Sequence, residues 1–451
     1  MVKDGFFTGL DIGTSSVKVL VAEYIDAQMN IIGVGNTKSE GIKNGVIVDI
    51  EKTVESIKKA VRQAEEKAGV QVTNVNVGLP ANLLSVEECQ GLMAVGMDNQ
   101  EITDDNVNDV VKSALVRSVP PEREIVTVIP EEFIVDGFAN ISDPRGMIGV
   151  RLEMRGLMFT GPKTVIHNIK STVKKAGLNI DQLVITPLAL ANSILTDGEK
   201  DFGTILLDMG GGQTTVAIMF DHKIKYTSVI KEGGEFVTKD ISVVLNTSVK
   251  NAEGLKINYG EAYPAHASET EEFPVDVIGQ NAPVRVNEKY LSEIIEARLT
   301  QIFDRVQNEL EKIEALNLPG GIILTGGAAT LPGVVDLATE RFGINVKLFV
   351  PNQMGLRNPV FTNVISIVEH VALQSEIDSI AYAAVSGNYA LKVAQTSQAP
   401  VSAYTEPVYQ EDDYEDYHSE TIERDTTREA IKDKGANIVE RAKGFFNNIF
   451  D

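Results

Sequence analysis

A chain of 451 residues is too long for one compact core, so two or more lobes are expected. Its 41 Lys and Arg against 64 Asp and Glu leave a formal charge of −23, which argues against a nucleic-acid surface, because phosphate backbones need clustered cations. A single cysteine, Cys89, excludes an intramolecular disulfide, and five histidines with no Cys/His cluster point to no zinc site.

The N-terminal stretch MVKDGFF lacks the basic start and apolar run of a signal peptide. No apolar run reaches the ~20 residues that span a bilayer. The chain therefore reads as cytosolic, with any membrane contact peripheral.

Taken in order, FFTGLDIG, VKVLVAEY and IIGVG read as three strands of a meander. A helix follows, carrying Val54, Ile57, Val61 and Ala64 at helical spacing and stopped by Gly69. VTNVNVGLP is the next strand. The segment 84–162 has a character of its own. It holds a helix over Thr103 to Ser118 and strand-like runs IVTVI, EFIVDGF and RGMIGVRLEMRGLMF, punctuated by Pro120-Pro121 and Ser142-Asp143-Pro144. It reads as an inserted subdomain, with Cys89 a buried small hydrophobe.

Midway the opening recurs. TILLDMGGGQTTVAIMF is again an apolar strand, an Asp-x-Gly turn and a β-rich return. Aligning Asp11 with Asp208 aligns Gly13 with Gly210 and Val19 with Val216. Either two ordinary buried hairpins coincide, or one meander is duplicated; duplication implies a two-lobed α/β architecture with a cleft between the lobes. Beyond it, one long amphipathic helix is expected from Asn287 to Leu316, with Leu291, Ile294, Ile295, Leu299, Ile302, Phe303, Val306, Leu310 and Ile313 on its buried stripe.

The chain end changes composition. Residues 392–434 are poor in aliphatics and rich in carboxylates such as Glu411, Asp412 and Asp413, as expected of a disordered acidic linker. In residues 435–451, Ile438, Val439, Ala442, Phe445, Phe446, Ile449 and Phe450 line one side of a helix, with Arg441 and Lys443 opposite. A Phe-rich face, basic residues opposite it and insufficient length to span describe an interfacial helix at an anionic membrane surface. Docking back onto the protein's own core is the alternative. The expected layout is a first-lobe core at 1–83, completed by 163–200 and 372–391, then the insert at 84–162. A second lobe at 201–371 would include a smaller subdomain at about 235–315.

The paired Asp-x-Gly turns carry the chemistry. Gly13 permits a tight turn whose following residues, Thr14, Ser15 and Ser16, can cradle phosphate oxygens, and Lys18 can supply a positive charge. From the other lobe, Gly210, Gly211 and Gly212, followed by Gln213 and Thr214, allow equally close approach. Asp11 and Asp208 would then face each other across the cleft and suit a Mg²⁺ held through water. Gly233 and Gly234 offer a second backbone approach. Glu253 and Lys256, at i, i+3 on a helix, suit a ribose and the edge of a base, or form no more than a surface ion pair. Gly326, Gly327 and Ala328 follow a buried strand and are small enough to flank a planar adenine, before a helix start marked by Pro332.

This ordered set resembles the actin, hexokinase and heat-shock chaperone superfamily, with ITPLALANSIL and SIAYAAVSGNYAL in the place of its two connecting helices. Within it, the chain from Phe7 to Leu391 and its extreme C-terminus resemble the FtsA family of bacterial cell-division proteins. The resemblance rests on LDIGTSSVK, GIKNGVIVDIE, the insert, KEGGEFVTKDI and the C-terminal helix. It implies an actin-like α/β fold with duplicated ribonuclease-H-like cores and an FtsA-type insert. Implied ligands and partners are ATP with Mg²⁺, copies of the chain in filaments, the C-terminal peptide of the tubulin-like FtsZ on the second lobe, and later division proteins on the insert. The implied location is the cytoplasmic side of the cell membrane at the septum. The heat-shock chaperones and actin-like MreB of that superfamily carry a Glu before the proline of the first connector; here Thr186 precedes Pro187, so slow or absent hydrolysis is expected. A small-molecule kinase with the same loops is the alternative. A rod-shape filament protein like MreB is disfavoured by the insert and the tail.

Overall fold

The computed structural model describes residues 4–81, 84–96, 100–116 and 119–387. The expected linker at 392–434 and the helix expected at 435–451 lie outside the described residues.

Two five-stranded sheets repeat one topology. In the first, Gly5–Ile12, Ser16–Ile25 and Gln28–Lys38 form an antiparallel meander, and Asn74–Leu79 then Asn179–Ile185 add in parallel on the Gly5–Ile12 side. In the second, Thr204–Met209, Thr214–Phe220 and Lys223–Ile230 form the meander, with Ile322–Thr325 and Val346–Leu348 added in parallel. The duplication extends to the turns. Gly13 N donates to Ser16 O at 3.1 Å, and Gly210 N donates to Gln213 O at 2.9 Å. Asp11 pairs with Lys18 across one hairpin, and Asp208 with Thr215 across the other.

Helices cover both faces of the first sheet, which is why Ser16–Ile25 reads as a near-continuous apolar run. Val17, Val19 and Val21 pack with Ile57, Ala60 and Ala64 on one side. Leu20, Ala22 and Tyr24 pack with Val364, Ile365 and Val368 on the other. Each fully buried valine, leucine or isoleucine among these contributes about 1.5–3 kcal/mol. The first covering helix, Ile50–Ala68, begins at Asp49, whose carboxylate accepts from Lys52 N at 3.2 Å. It ends at Gly69 in the left-handed region, φ 67°, as its sequence predicts.

The insert is a four-stranded sheet ordered Phe138–Ile141, Arg123–Val135, Arg151–Pro162, Ser85–Ala94. Helix Asp104–Ala114 packs on it through buried Val107, Val110 and Val111, and Cys89 is buried in its sheet. The run IVTVI and the EFIV of EFIVDGF are one strand, Arg123–Val135, because Pro130 sits at a register shift opposite Gly156 that removes the need for its missing N–H, while Asp136-Gly137 turn the chain into the next strand at Phe138.

The long helix of the second lobe runs Glu288–Lys312, shorter than its apolar stripe predicts. Glu314 adopts φ 50°, which ends the helix and leaves Ile313 only half-buried.

The two segments expected as connectors pack on different elements. Helix Thr186–Ile194 packs against Thr362–Ala372, whereas the helix formed by the expected connector segment, Glu376–Ser386, packs on the insert strand Arg123–Val135 and on Asp104–Ala114. Arg145 of the insert reaches Glu376 at 2.8 Å. Both segments carry an apolar stripe, and periodicity states that a face is covered without naming what covers it.

Candidate nucleotide site

A cavity of about 1210 Å³ lies between the turns of the two sheets. Its wall includes Asp11, Gly13, Thr14, Ser15, Ser16 and Lys18 from the first hairpin and Asp208, Gly210, Gly211, Gly212 and Gln213 from the second. Gly234, Glu253, Lys256, Gly326, Gly327 and Ala328 complete the expected set. Segments more than 300 positions apart in the chain thus converge on one cavity.

Two expected residues are not on the wall. Thr214 faces into the lobe, its Oγ1 donating to Glu232 O at 2.9 Å, and Thr215 takes the cavity side because strand side chains alternate. Gly233 lies one layer behind: a Cβ there would sit 2.3 Å from Gly210 O, so it supports the turn rather than lining the site.

The hairpin tips touch. A Cβ on Gly211 would fall 1.7 Å from Ser15 Oγ, so only glycine permits this approach. Ser15 Oγ in turn donates to Glu235 Oε1 at 2.7 Å, and Gly45 N donates to Thr14 Oγ1 at 2.9 Å. The second of these places the GIKNGVIVDIE segment against the first hairpin.

Lys18 is buried, with Nζ 3.2 Å from Asp11 Oδ2. Asp208 Oδ2 accepts from Asn363 Nδ2 at 3.0 Å. Burial pushes the Asp208 carboxyl above its ordinary range; the Asn363 bond opposes the rise, nearby Asp11 adds to it and Lys18 reduces it. Glu253 and Lys256 do form an ion pair, at 2.8 Å. Lys256 also donates to Gly234 O at 3.0 Å and Thr238 Oγ1 at 2.7 Å, so it staples its helix to the turn as well as facing the cavity.

Sequence reasoning passed over Lys38, Lys43, Lys239, Lys250 and Asn363, all on the wall. With Lys18 and Lys256 they set six lysines against the carboxylates Asp11, Asp208, Glu235 and Glu253. An excess of cations in one cavity of a chain with net charge −23 suits an anionic ligand. Asp208 Oδ1, Gln213 Oε1 and Asn363 Oδ1 are buried acceptors with no partner among the described residues. Such acceptors fit the water shell of a Mg²⁺ better than any direct chelate. Thr186 lines the cavity beside Pro187, without a carboxylate.

A family model described as "Cell division protein FtsA" matches residues 205–366. "SHS2 domain inserted in FTSA" matches 82–160, and "Cell division protein FtsA, C-terminal" matches 377–451. The FtsA of Enterococcus hirae is 62% identical over 451 residues, 100% of each chain. The chain belongs to the FtsA family.

Similarity within FtsA extends to Bacillus subtilis, 43% identical over 377 residues, which are 84% of this chain and 86% of that one. The Escherichia coli FtsA is 31% identical over 376 residues, 80% of this chain and 89% of that one. A chain of a PilM–PilN type IV pilus biogenesis complex shares the fold at 15% identity, with a TM-score of 0.57 over 83% of this chain and 100% of its own. The duplicated sheets are those of the actin-like α/β fold, and the SHS2 match falls on the segment that folds as the insert. Among the described residues, no helix is long and apolar enough to cross a membrane.

Proposed function

We propose that this chain binds ATP with Mg²⁺ between its lobes, polymerises, and holds FtsZ filaments at the cytoplasmic face of the membrane at the division septum. One observation carries the reading: duplicated glycine hairpins, joined by the same turn hydrogen bond, close on one lysine-lined cavity. Membership of a cell-division family supports the cellular role.

In this reading Lys18 meets the polyphosphate, with Asp11 holding its ammonium in place. Asp11 and Asp208 orient water around the cation, which would neutralise phosphate charge. Gly326, Gly327 and Ala328 leave room for the base. Thr186 offers no carboxylate to place an attacking water, so ATP acts as a structural ligand that keeps the lobes together. Steady-state phosphate release should stay below about one per second, under the usual range of efficient phosphoryl-transfer enzymes; faster turnover would sink this part.

The second lobe would take the FtsZ C-terminal peptide, and the insert would meet later division proteins. Ile438, Val439, Ala442, Phe445, Phe446, Ile449 and Phe450 would enter the headgroup region of anionic lipid. One such helix binds weakly, and several on one filament bind together because each raises the effective concentration of the next. In a liposome pelleting assay with ATP, removal of residues 435–451 should cut co-sedimentation by about 10²-fold or more. Undiminished pelleting would contradict the tether, and soluble transfer of phosphate to a small acceptor would favour a kinase.

A further inference from the structure

We infer that Asn363 belongs to the cation shell of this cavity: its amide nitrogen fixes Asp208, and its amide oxygen receives a hydrogen bond from water on a divalent cation. The inference rests on the nucleotide reading above and goes beyond the paired aspartates.

Asn363 stands in the first turn of helix Thr362–Ala372, which packs on the first sheet through Val364, Ile365 and Val368. Asp208 ends a strand of the second sheet. Their 3.0 Å hydrogen bond therefore joins the two lobes at the floor of the cavity. Chemistry sets which way the amide faces, since turning its oxygen toward a carboxylate would press two acceptors together. With Nδ2 committed to Asp208 Oδ2, Asn363 Oδ1 must face elsewhere.

That oxygen is buried and has no partner among the described residues, and the same holds for Asp208 Oδ1 and Gln213 Oε1. Leaving a buried acceptor without a donor is unfavourable, and these three carbonyl and carboxylate oxygens share one cavity wall with the equally unpartnered Ser39 Oγ, so they call for a common explanation. All three lack a hydrogen, so the missing group must bring hydrogens or positive charge. Two of the lysines on the wall are engaged elsewhere: Lys18 with Asp11, and Lys256 with Glu253, Gly234 and Thr238. Water on a Mg²⁺ supplies both, because the ion retains several waters whose protons point outward. Asn363 thereby differs from the aspartates: it adds no charge, and it makes cation binding depend on a helix seated on the opposite lobe.

The test is calorimetric titration of the full chain with ATP, in Mg²⁺ and in EDTA, for wild type, Asn363→Ala and Asn363→Leu. The leucine variant keeps the side-chain volume should the cavity left by alanine unfold the helix, and thermal unfolding of each variant reports on the fold. Losing an outer-shell partner typically lowers metal affinity about 10- to 100-fold, so the ratio of affinities with and without Mg²⁺ should narrow by that factor in both variants. A ratio equal to wild type in a folded variant overturns the role of Asn363 while leaving ATP binding intact. Wild-type protein that binds no ATP in either buffer overturns the nucleotide reading itself.

Discussion

Lys18→Ala should remove detectable ATP binding and lower stability by about 3–5 kcal/mol, the usual consequence of removing one partner from a buried ion pair. Lys18 is 6% exposed and lies opposite Asp11 in the strand register, with their charged atoms 3.2 Å apart. Without the ammonium, Asp11 is left uncompensated near Asp208, whose carboxyl burial already disfavours in its ionised form. Chemical denaturation measures the loss. The double variant Asp11→Asn with Lys18→Ala should recover part of it, because the orphaned charge is gone, yet should still fail to bind ATP. A double variant no more stable than Lys18→Ala would show that the pair is not what holds this hairpin.

Gly211→Val is expected to weaken ATP binding by about tenfold to a hundredfold, with little change in thermal stability. A Cβ at this position would lie 1.7 Å from Ser15 Oγ and 2.9 Å from Ser15 Cβ. The hairpin tips cannot keep their contact around a branched side chain, and overpacking of this kind costs about 1–3 kcal/mol. Because the clash lies between the lobes, the cost falls on closure around the ligand rather than on either core. Ser15→Gly removes the obstructing hydroxyl, so Gly211→Ala should be tolerated in that background and not alone. Wild-type affinity in Gly211→Val would mean that the tips separate when nucleotide enters, contrary to the closed arrangement proposed.

Much of the fold follows from local physics that a single chain displays. The helix Ile50–Ala68 begins and ends where Asp49 and Gly69 require, since a carboxylate caps free N–H groups and glycine alone enters the left-handed region cheaply. The stripe from Leu291 to Leu310 is buried as its spacing predicts, but the helix stops before Leu316 because backbone geometry at Glu314 intervenes. Thr214, expected on the cavity wall, faces into the lobe while Thr215 takes the wall, for a comparable reason: a loop motif does not reveal which residue begins the alternation of the returning strand.

What the amino-acid order determined by itself was the repeated hairpin. Burial, turn type and the position of Asp11 and Asp208 are all encoded within a dozen residues, so two copies can be recognised without a structure. Partnerships between distant segments were decided only by tertiary packing. Helix Thr362–Ala372 lies against Thr186–Ile194 whereas Glu376–Ser386 packs on the insert, and both are amphipathic, so periodicity alone does not tell their partners apart. Asn363 meets Asp208 across 155 positions of chain, and the cavity lysines gather from four separate segments. No local pattern can specify such neighbours, since hydrogen bonds and charges act through distance in space, and that distance exists only once both sheets have formed.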